Sequence, residues 1–369
     1  MTLFAPKYAK EAYHIAKNVQ RLLRYKRDIL NNGDFERLSA KNDDLFAAAK
    51  ASNKPAIEAL TKELDVEIGK VAPMPNHHSW RENCETILVA IVIALGIRAY
   101  FLQPFKIPTG SMQPTLNGVI AKRQDTPPPN AVQRAWEKVW NGRTYVNLVS
   151  PVDDEVLQLI NRPFLWFSQS TQIVMASGST YKIPCSPQDT EIQLGIRPGT
   201  TVKTGETLLR ANITTGDQVF VDKFTYHFRA PQRADVFVFT TTNIEALQRY
   251  TGASQTQFYI KRLAALPGDN ARIDEPNLFL NGELATQWPF QRVMSLQNGY
   301  QGYMNIESAP LLSKPDQSFD IPAGGYLALG DNSRNSLDSR YWGPVPEPNI
   351  VGRGWLVYWP FGQHFGFVK

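Results

Sequence analysis

The chain has 369 residues, 43% of them hydrophobic and 20% charged, a balance that excludes a largely disordered chain or a multi-span transporter and leaves room for two or more domains. Its formal net charge of +5 suits anionic lipid as readily as nucleic acid, and no nucleic-acid motif accompanies it. The two cysteines, Cys84 and Cys185, form neither a CxxC pair nor a metal-ligand spacing, so they read as unpaired.

From Lys7 to about Leu30, "KYAKEAYHIAKNVQRLLRYKRDIL" sets Ala12, Ile15, Ala16, Val19, Leu22 and Leu23 at helical spacing among basic residues, which predicts an amphipathic helix. A second helical pattern, "DDLFAAAKASNKPAIEALTKELDVEIG", ends at Gly69 before the breaker-rich "APMPNHHS". Residues 1–84 thus read as a cytoplasmic helical hairpin, either a solvated appendage or a segment lying on a membrane surface.

Next comes "ETILVAIVIALGIRAYFLQPF", residues 85–105, in which Thr86 to Ile97 carries no charge. A spanning helix needs roughly 20 apolar residues, which Thr86 to Phe105 supplies if Arg98 snorkels to the interface. A buried core helix is the competing reading. Basic residues ahead of it, including Lys7, Lys10, Arg21, Arg24, Lys26, Arg27 and Arg81, favour a cytoplasmic N-terminus, with the remainder translocated.

After Leu116 the texture becomes short apolar runs bounded by Gly, Pro, Asn and Asp, and the strands expected are "QVFVDKF", "DVFVFT", "QFYIKRLAAL", "LFLNGEL", "GYLALG" and "GWLVYW". They predict an all-β body from Gly216 to the C-terminus. Between them and Leu116 lies an inserted β-rich module, residues 117–215, with a Pro run "TPPPN", a short helix "AVQRAWEKVW", and "IRPGTTVKTGETLL", whose turns are spaced like small barrel-sandwich hairpins.

In "FKIPTGSMQPTL" small, turn-prone residues surround one hydroxyl, Ser111, just past the apolar segment. A free serine is a weak nucleophile and needs a base. Of five histidines, His14, His77 and His78 precede the apolar segment, His227 and His364 lack a Gly-flanked or acid-rich context, and there is no GxSxG elbow. Lysine serves instead when desolvation lowers its pKa. In "QFYIKRLAALPGD" a period-two strand puts Lys261 on one face with Tyr259, Leu263 and Ala265, and Arg262 on the other with Ile260 and Ala264. An edge-strand lysine snorkelling to water is the plainer alternative. "GDNSRNSLDSRYWGPVP", Gly330 to Pro346, has the composition of an ordered polar loop, able to hold a neutral lysine or to act as a structural turn network.

Together "IPTGSMQPTL", "GDQVFVDKF", "YIKRLAALPGD" and "GDNSRNSLDSRYWGPVP" resemble the boxes of bacterial type I signal peptidase, the leader peptidase of protein export. The likeness covers about Arg98 to Leu116 and then Gly216 to the end. It implies a mainly β catalytic domain of the signal-peptidase and LexA-like coiled-sheet fold, made of residues 106–116 and 216–369 and tethered by one transmembrane helix. It implies a Ser/Lys endopeptidase in the cytoplasmic membrane, single-pass, its catalytic domain on the outer or periplasmic face. Ser111 would be the nucleophile and Lys261 the general base. Ser336 would orient the lysine, Thr109 would add its hydroxyl to the oxyanion hole, and Met112 would shape the substrate pocket. Arg262, Asp331, Asp338 and Arg340 would support them, with Arg262 and Asp331 paired. The partners implied are signal peptides cut after an Ala-x-Ala-like site and the lipid bilayer, with room for contact with the export machinery; no metal, cofactor or nucleic acid is implied. In the family the nucleophile box runs almost directly into the "GDxVxVxKF" box, so the insert has no counterpart, and neither has the helical N-terminal extension. Two further readings remain: a self-cleaving regulator of the LexA-like kind, which the membrane segment disfavours, and a non-catalytic membrane-tethered scaffold, which has no use for Ser111, Lys261 and Ser336 together.

Overall fold

The computed structural model describes residues 6–71, 78–162, 170–252 and 256–369, so most of the breaker-rich stretch, with His77, lies outside the described residues. The chain forms two compact units, Met1–Val92 and Ile93–Lys369.

In the first unit the expected hairpin is three helices: α1 (Lys7–Tyr25), α2 (Asn32–Lys50) and α3 (Lys54–Val71). The pattern read as one helix from Asp43 to Gly69 breaks at Ala51–Asn53. Ser52 takes a left-handed φ of 53°, and Pro55, which has no amide to bond backward, is tolerated because it falls in the first turn of α3. The start of α2 lies earlier than expected because the Asn31 side chain caps it, accepting from Asp34 N at 2.8 Å. Ala12, Ala16 and Leu23 pack with Leu38, Leu45, Ile57 and Leu64, whereas Ile15, expected in the apolar stripe, is 40% exposed.

Helix α4 (His78–Tyr100) contains a stretch, Trp80–Tyr100, long and apolar enough to cross a membrane, and none of it is buried in the protein. It begins and ends earlier than the expected 85–105. Pro104 biases the residue before it toward extended backbone, so the chain leaves the helix at Tyr100 and enters β1 (Leu102–Lys106). That strand lies at the sheet edge, where a proline costs no ladder bond to a central neighbour.

Residues 117–215 carry β2 (Ile120–Arg123), α5 (Ala131–Trp140), β3 (Arg143–Val149), β4 (Asp154–Asn161), β5 (Thr171–Met175), β6 (Thr180–Ile183), β7 (Thr201–Val202) and β8 (Thr207–Thr214). They form a sheet of order β2-β8-β3 and another of order β6-β5-β4-β7. Both pack on one core that includes Val146, Val156, Ile173, Met175, Leu194 and Leu209.

The remaining strands are β9 (Gln218–Asp222), β10 (Val236–Thr240), β11 (Phe258–Ala265), β12 (Asn270–Asp274), β13 (Asn277–Leu280), β14 (Glu283–Leu284), β15 (Ser318–Asp320), β16 (Gly325–Leu329), β17 (Val345–Pro346), β18 (Ile350–Trp359) and β19 (Gly366–Phe367). The main sheet runs β1-β9-β18-β10-β11-β16-β17, with β19 on β18, and every pairing is antiparallel. Register shifts at Val238/Phe239, Leu263/Ala265 and Gly354/Leu356 bend and curl it. A smaller sheet, β14-β13-β12-β15, holds its own core around Ile273, Leu278, Phe290 and Tyr303. Short helices at Glu245–Thr251, Trp288–Met294 and Ser339–Trp342 make this body mainly rather than wholly β.

Ile173 is fully buried in the core of the 117–215 region. Ile173→Ala is expected to cost about 2–5 kcal/mol there, read as a lower denaturation midpoint with little change of m-value.

Candidate active site

The chain turns out of β1 into a single 3-10 turn, Gly110–Met112, that carries Ser111. Two stretches hold it. Beneath it Gly216 packs so closely that a Cβ there would lie 1.7 Å from the Ile107 carbonyl, and Asp217 bridges the segment's ends. Its N–H donates to Asn117 O, its carbonyl accepts from Ile107 N, and its carboxylate accepts from Asn117 N at 2.7 Å. On the other side Asn332, in the Gly330–Pro346 loop, donates its backbone N–H to Ser111 O at 3.1 Å and its Nδ2 to Gly110 O at 3.0 Å.

Strand β11 brings up the lysine. Lys261 pairs with Phe237 of β10, and Leu263 on its face is fully buried. Its Nζ donates to Ser111 Oγ at 2.6 Å and lies 5.5 Å from the Tyr259 ring. Both partners are buried, Lys261 to 4% exposure and Ser111 to 7%. Burial pushes the Lys261 pKa from 10.5 down to about 8, against the opposing pull of the Asp338 carboxylate. The amine is therefore substantially neutral in mildly alkaline water. His364 is bound to Asp217 instead, at 2.7 Å.

On the opposite face of β11 Arg262 is wholly buried and bonds Asp331 twice, Nε to Oδ1 and Nη2 to Oδ2, each at 2.6 Å. Its third arm reaches Ala234 O at 2.7 Å. Asp338 and Arg340 form a second buried two-point pair at 2.8 Å, and Arg340 also donates to the Met304 and Ser333 carbonyls. Asp338 Oδ2 accepts from Gly330 N at 3.1 Å, which ties this pair to the loop that grips Ser111. Removing charges from water is costly, and these geometries offset the cost because every guanidinium meets a carboxylate in a planar fork.

Three expected roles look different in place. Ser336 stands in the site, but its buried Oγ makes no hydrogen bond, so the expected Ser336–Lys261 bond is not formed here; the lysine is held by Ser111. The hydroxyl faces Gly330, where a Cβ would come 2.2 Å from it and 2.5 Å from the Ser111 carbonyl. Met112 is fully buried with Ile107, Leu116, Val219 and Val236, so it shapes any pocket from beneath rather than lining it. Thr109 is exposed at the mouth of the turn and its hydroxyl does not cap it. Sequence reasoning passed over Asn332, Asp217 and Thr115. Thr115 Oγ1 donates to Asp331 and accepts from Arg292 Nη2 at 3.1 Å, joining the Ser111 segment to the buried ion pair. The repeated "GD" and the "PTL" after Ser111 carried that signal, but their bonds cross about 100 to 216 residues of sequence, beyond any local pattern.

The model of the signal peptidase, peptidase S26, family matches residues 80–125 and 202–359, more than half of the chain. The chain belongs to that family. Signal peptidase I of Leptolyngbya laminosa is 33% identical over 154 residues, 41% of this chain and 64% of that protein, and signal peptidase I of Pseudomonas aeruginosa is 32% identical over 191 residues, 41% and 62%. The chain thus spans about three-fifths of the length of these curated relatives. A crystal structure of a signal peptidase I from Enterococcus faecalis is similar at 26% identity, covering 34% of this chain and 97% of that one with a TM-score of 0.25. The family match leaves out residues 126–201, within the inserted region.

Two stability outcomes follow from the buried charges. Asp331→Ala strands the Arg262 guanidinium without its partner and is expected to cost about 3–5 kcal/mol in denaturation. Lys261 has the opposite sign. Below pH about 8 both folded and unfolded chains carry its charge and the burial cost, about 3 kcal/mol, stands in full. Between about 8 and 10.5 only the unfolded chain is protonated, so the cost fades as pH rises. Lys261→Met is expected to be the more stable protein at neutral pH, with the difference shrinking toward pH 10.5 in paired denaturation curves.

Proposed function

We propose that this chain is a membrane-anchored serine endopeptidase that removes N-terminal signal peptides from exported preproteins after an Ala-x-Ala-like site, with Ser111 as nucleophile and Lys261 as general base. The observation that carries the reading is the 2.6 Å contact between Ser111 Oγ and a lysine that burial drives toward neutrality. Membership of the signal peptidase family supports the substrate class.

Ser111 Oγ attacks the scissile carbonyl and passes its proton to neutral Lys261 Nζ, so no free alkoxide is needed. The oxyanion meets the Ser111 N–H and, after rotation, the Thr109 hydroxyl. Asn332 matters here because Gly110 O and Ser111 N–H belong to one peptide plane and point in opposite directions. Holding Gly110 O with Asn332 Nδ2 aims the Ser111 N–H outward, toward the oxyanion. The lysine then gives its proton to the leaving amine, leaving an ester on Ser111. A water deprotonated by Lys261 hydrolyses that ester. Ser336, whose Oγ is unspent, holds the amine once Ser111 Oγ has moved to attack. Helix α4 crosses the bilayer with the N-terminal helices on the cytoplasmic side and the second unit on the outer or periplasmic face, which puts the cut where an apolar signal helix leaves the membrane. The export machinery is the natural supplier of such substrates.

A detergent-solubilised preprotein with an Ala-x-Ala site is expected to be cut directly after the second alanine, shown by sequencing the new N-terminus, and Ser111→Ala or Lys261→Ala is expected to abolish the cut with the fold intact. Near-normal turnover by folded Lys261→Ala would remove the lysine from the mechanism. The rate is expected to fall about tenfold per pH unit below an apparent pKa of about 8, because protonated Lys261 cannot accept the serine proton. Asn332→Ala is expected to lower kcat by up to about 100-fold with KM and the acid limb unchanged. A matching rise in KM would make Asn332 a substrate contact instead.

A further inference from the structure

Helix α5 is turned the wrong way for a helix resting on a protein. Val132, Ala135, Trp136 and Val139 share one side of it and Arg134 and Glu137 the other, with Gln133 and Lys138 along the two flanks. Its attachment runs through the polar side, where Glu137 Oε2 accepts from Tyr145 OH at 2.7 Å and from Arg143 Nη1 at 3.1 Å. The apolar side faces outward, with Val132 80%, Trp136 60% and Val139 66% exposed. The helix cannot roll over to hide them, because Trp359 Nε1 donates to Val139 O at 2.7 Å and Phe361 N to Trp140 O at 2.9 Å. An exposed aromatic run continues from it, with Trp136 stacked on Trp140 at 5.2 Å, Trp140 tilted against Phe361 at 4.9 Å and Phe361 against Phe365 at 5.2 Å.

We infer that α5 lies in the headgroup–acyl boundary of an anionic bilayer, apolar face down, with Arg134 and Lys138 at the lipid phosphates. The inference rests on the membrane-anchored reading above. Charge complementarity selects lipid: Glu137 is spent on Arg143, and among the described residues Arg134 and Lys138 make no ion pair, so the helix shows its surroundings only cations around Trp and Val. That is the make-up of a helix lying in an interface, where indole rings span the apolar and wet layers. The position also serves the chemistry. Trp359 pairs with Gln218 in β9, and Gln218 with Lys106 in β1, the strand end from which the chain turns to Ser111. Helix α4 ends at the opposite end of β1, beside Leu102. Lipid contact at α5 therefore fixes the nucleophile end of the ribbon to the bilayer while α4 fixes the other. Helix α5 falls in the stretch the family match leaves out, so this second attachment lies outside the part of the chain that the family model describes.

The test uses the full chain with Cys84→Ser, reconstituted in phosphatidylethanolamine–phosphatidylglycerol vesicles and spin-labelled at Val139→Cys, with Leu95→Cys in the span as control; buried Cys185 stays unlabelled. The expected result is that the label at position 139, like that at 95, collides several-fold more with oxygen than with a water-soluble nickel chelate, and that Arg134→Gln with Lys138→Gln, or phosphatidylcholine alone, reduces the preference. A label at 139 as water-exposed as an ordinary surface site, with 95 in lipid, overturns the inference and leaves the anchor standing. Spin–spin broadening at 139 assigns the face to a second copy and overturns it too. Water exposure at 95 refutes the anchored reading itself.

Discussion

Lys261 is a charge-bearing side chain placed where a charge is expensive, and the rest of the site is arranged around that expense. Burial moves the amine from 10.5 to about 8 and lays it 2.6 Å from Ser111 Oγ, so one cost accompanies both a more readily unprotonated amine and its contact with the serine. A histidine would need no such environment, and the histidine near the site is engaged with Asp217. The register of β10 and β11 supplies the environment. Phe237 stands opposite Lys261 in a sheet whose core includes Phe239, Leu263 and Trp342.

A buried amine so close to two carboxylates would regain its proton if those charges were uncompensated. Each is neutralised by its own guanidinium, Asp331 by Arg262 and Asp338 by Arg340, in wholly buried two-point pairs. The pairs thus do for the lysine's protonation state what they do not do for stability, since buried ion pairs seldom outperform apolar replacements. They also brace the loop whose Asn332 holds both carbonyls flanking the Ser111 amide. Position, proton affinity and peptide orientation trace to one network shared by β11 and the Gly330–Pro346 loop.

Much of this was legible in the sequence because it is local. The alternation around Lys261 gave its strand and the Arg262 face; the residues of the four boxes, in order, gave the family; the apolar run gave the long exposed helix α4. Elsewhere local signals competed. Pro104 ended α4 early, and Pro55 with Ser52 split one helical pattern into α2 and α3. Ser336 and Met112 illustrate a different limit, since a motif fixes a residue's neighbourhood and not its rotamer or depth. Asn332, Asp217 and Thr115 act through bonds closed by the tertiary fold, which no window of sequence contains. The inverted α5 was legible as a helix and illegible as a surface, because only the structure tells which side faces out.

The most direct test of the account is titration of Lys261 itself, by nitrogen or carbon NMR of its isotope-labelled side chain, assigned against Lys261→Met. The account expects a midpoint of about 8. A midpoint near the ordinary 10.5 would mean that the amine stays charged beside Ser111, and the serine would then need another base.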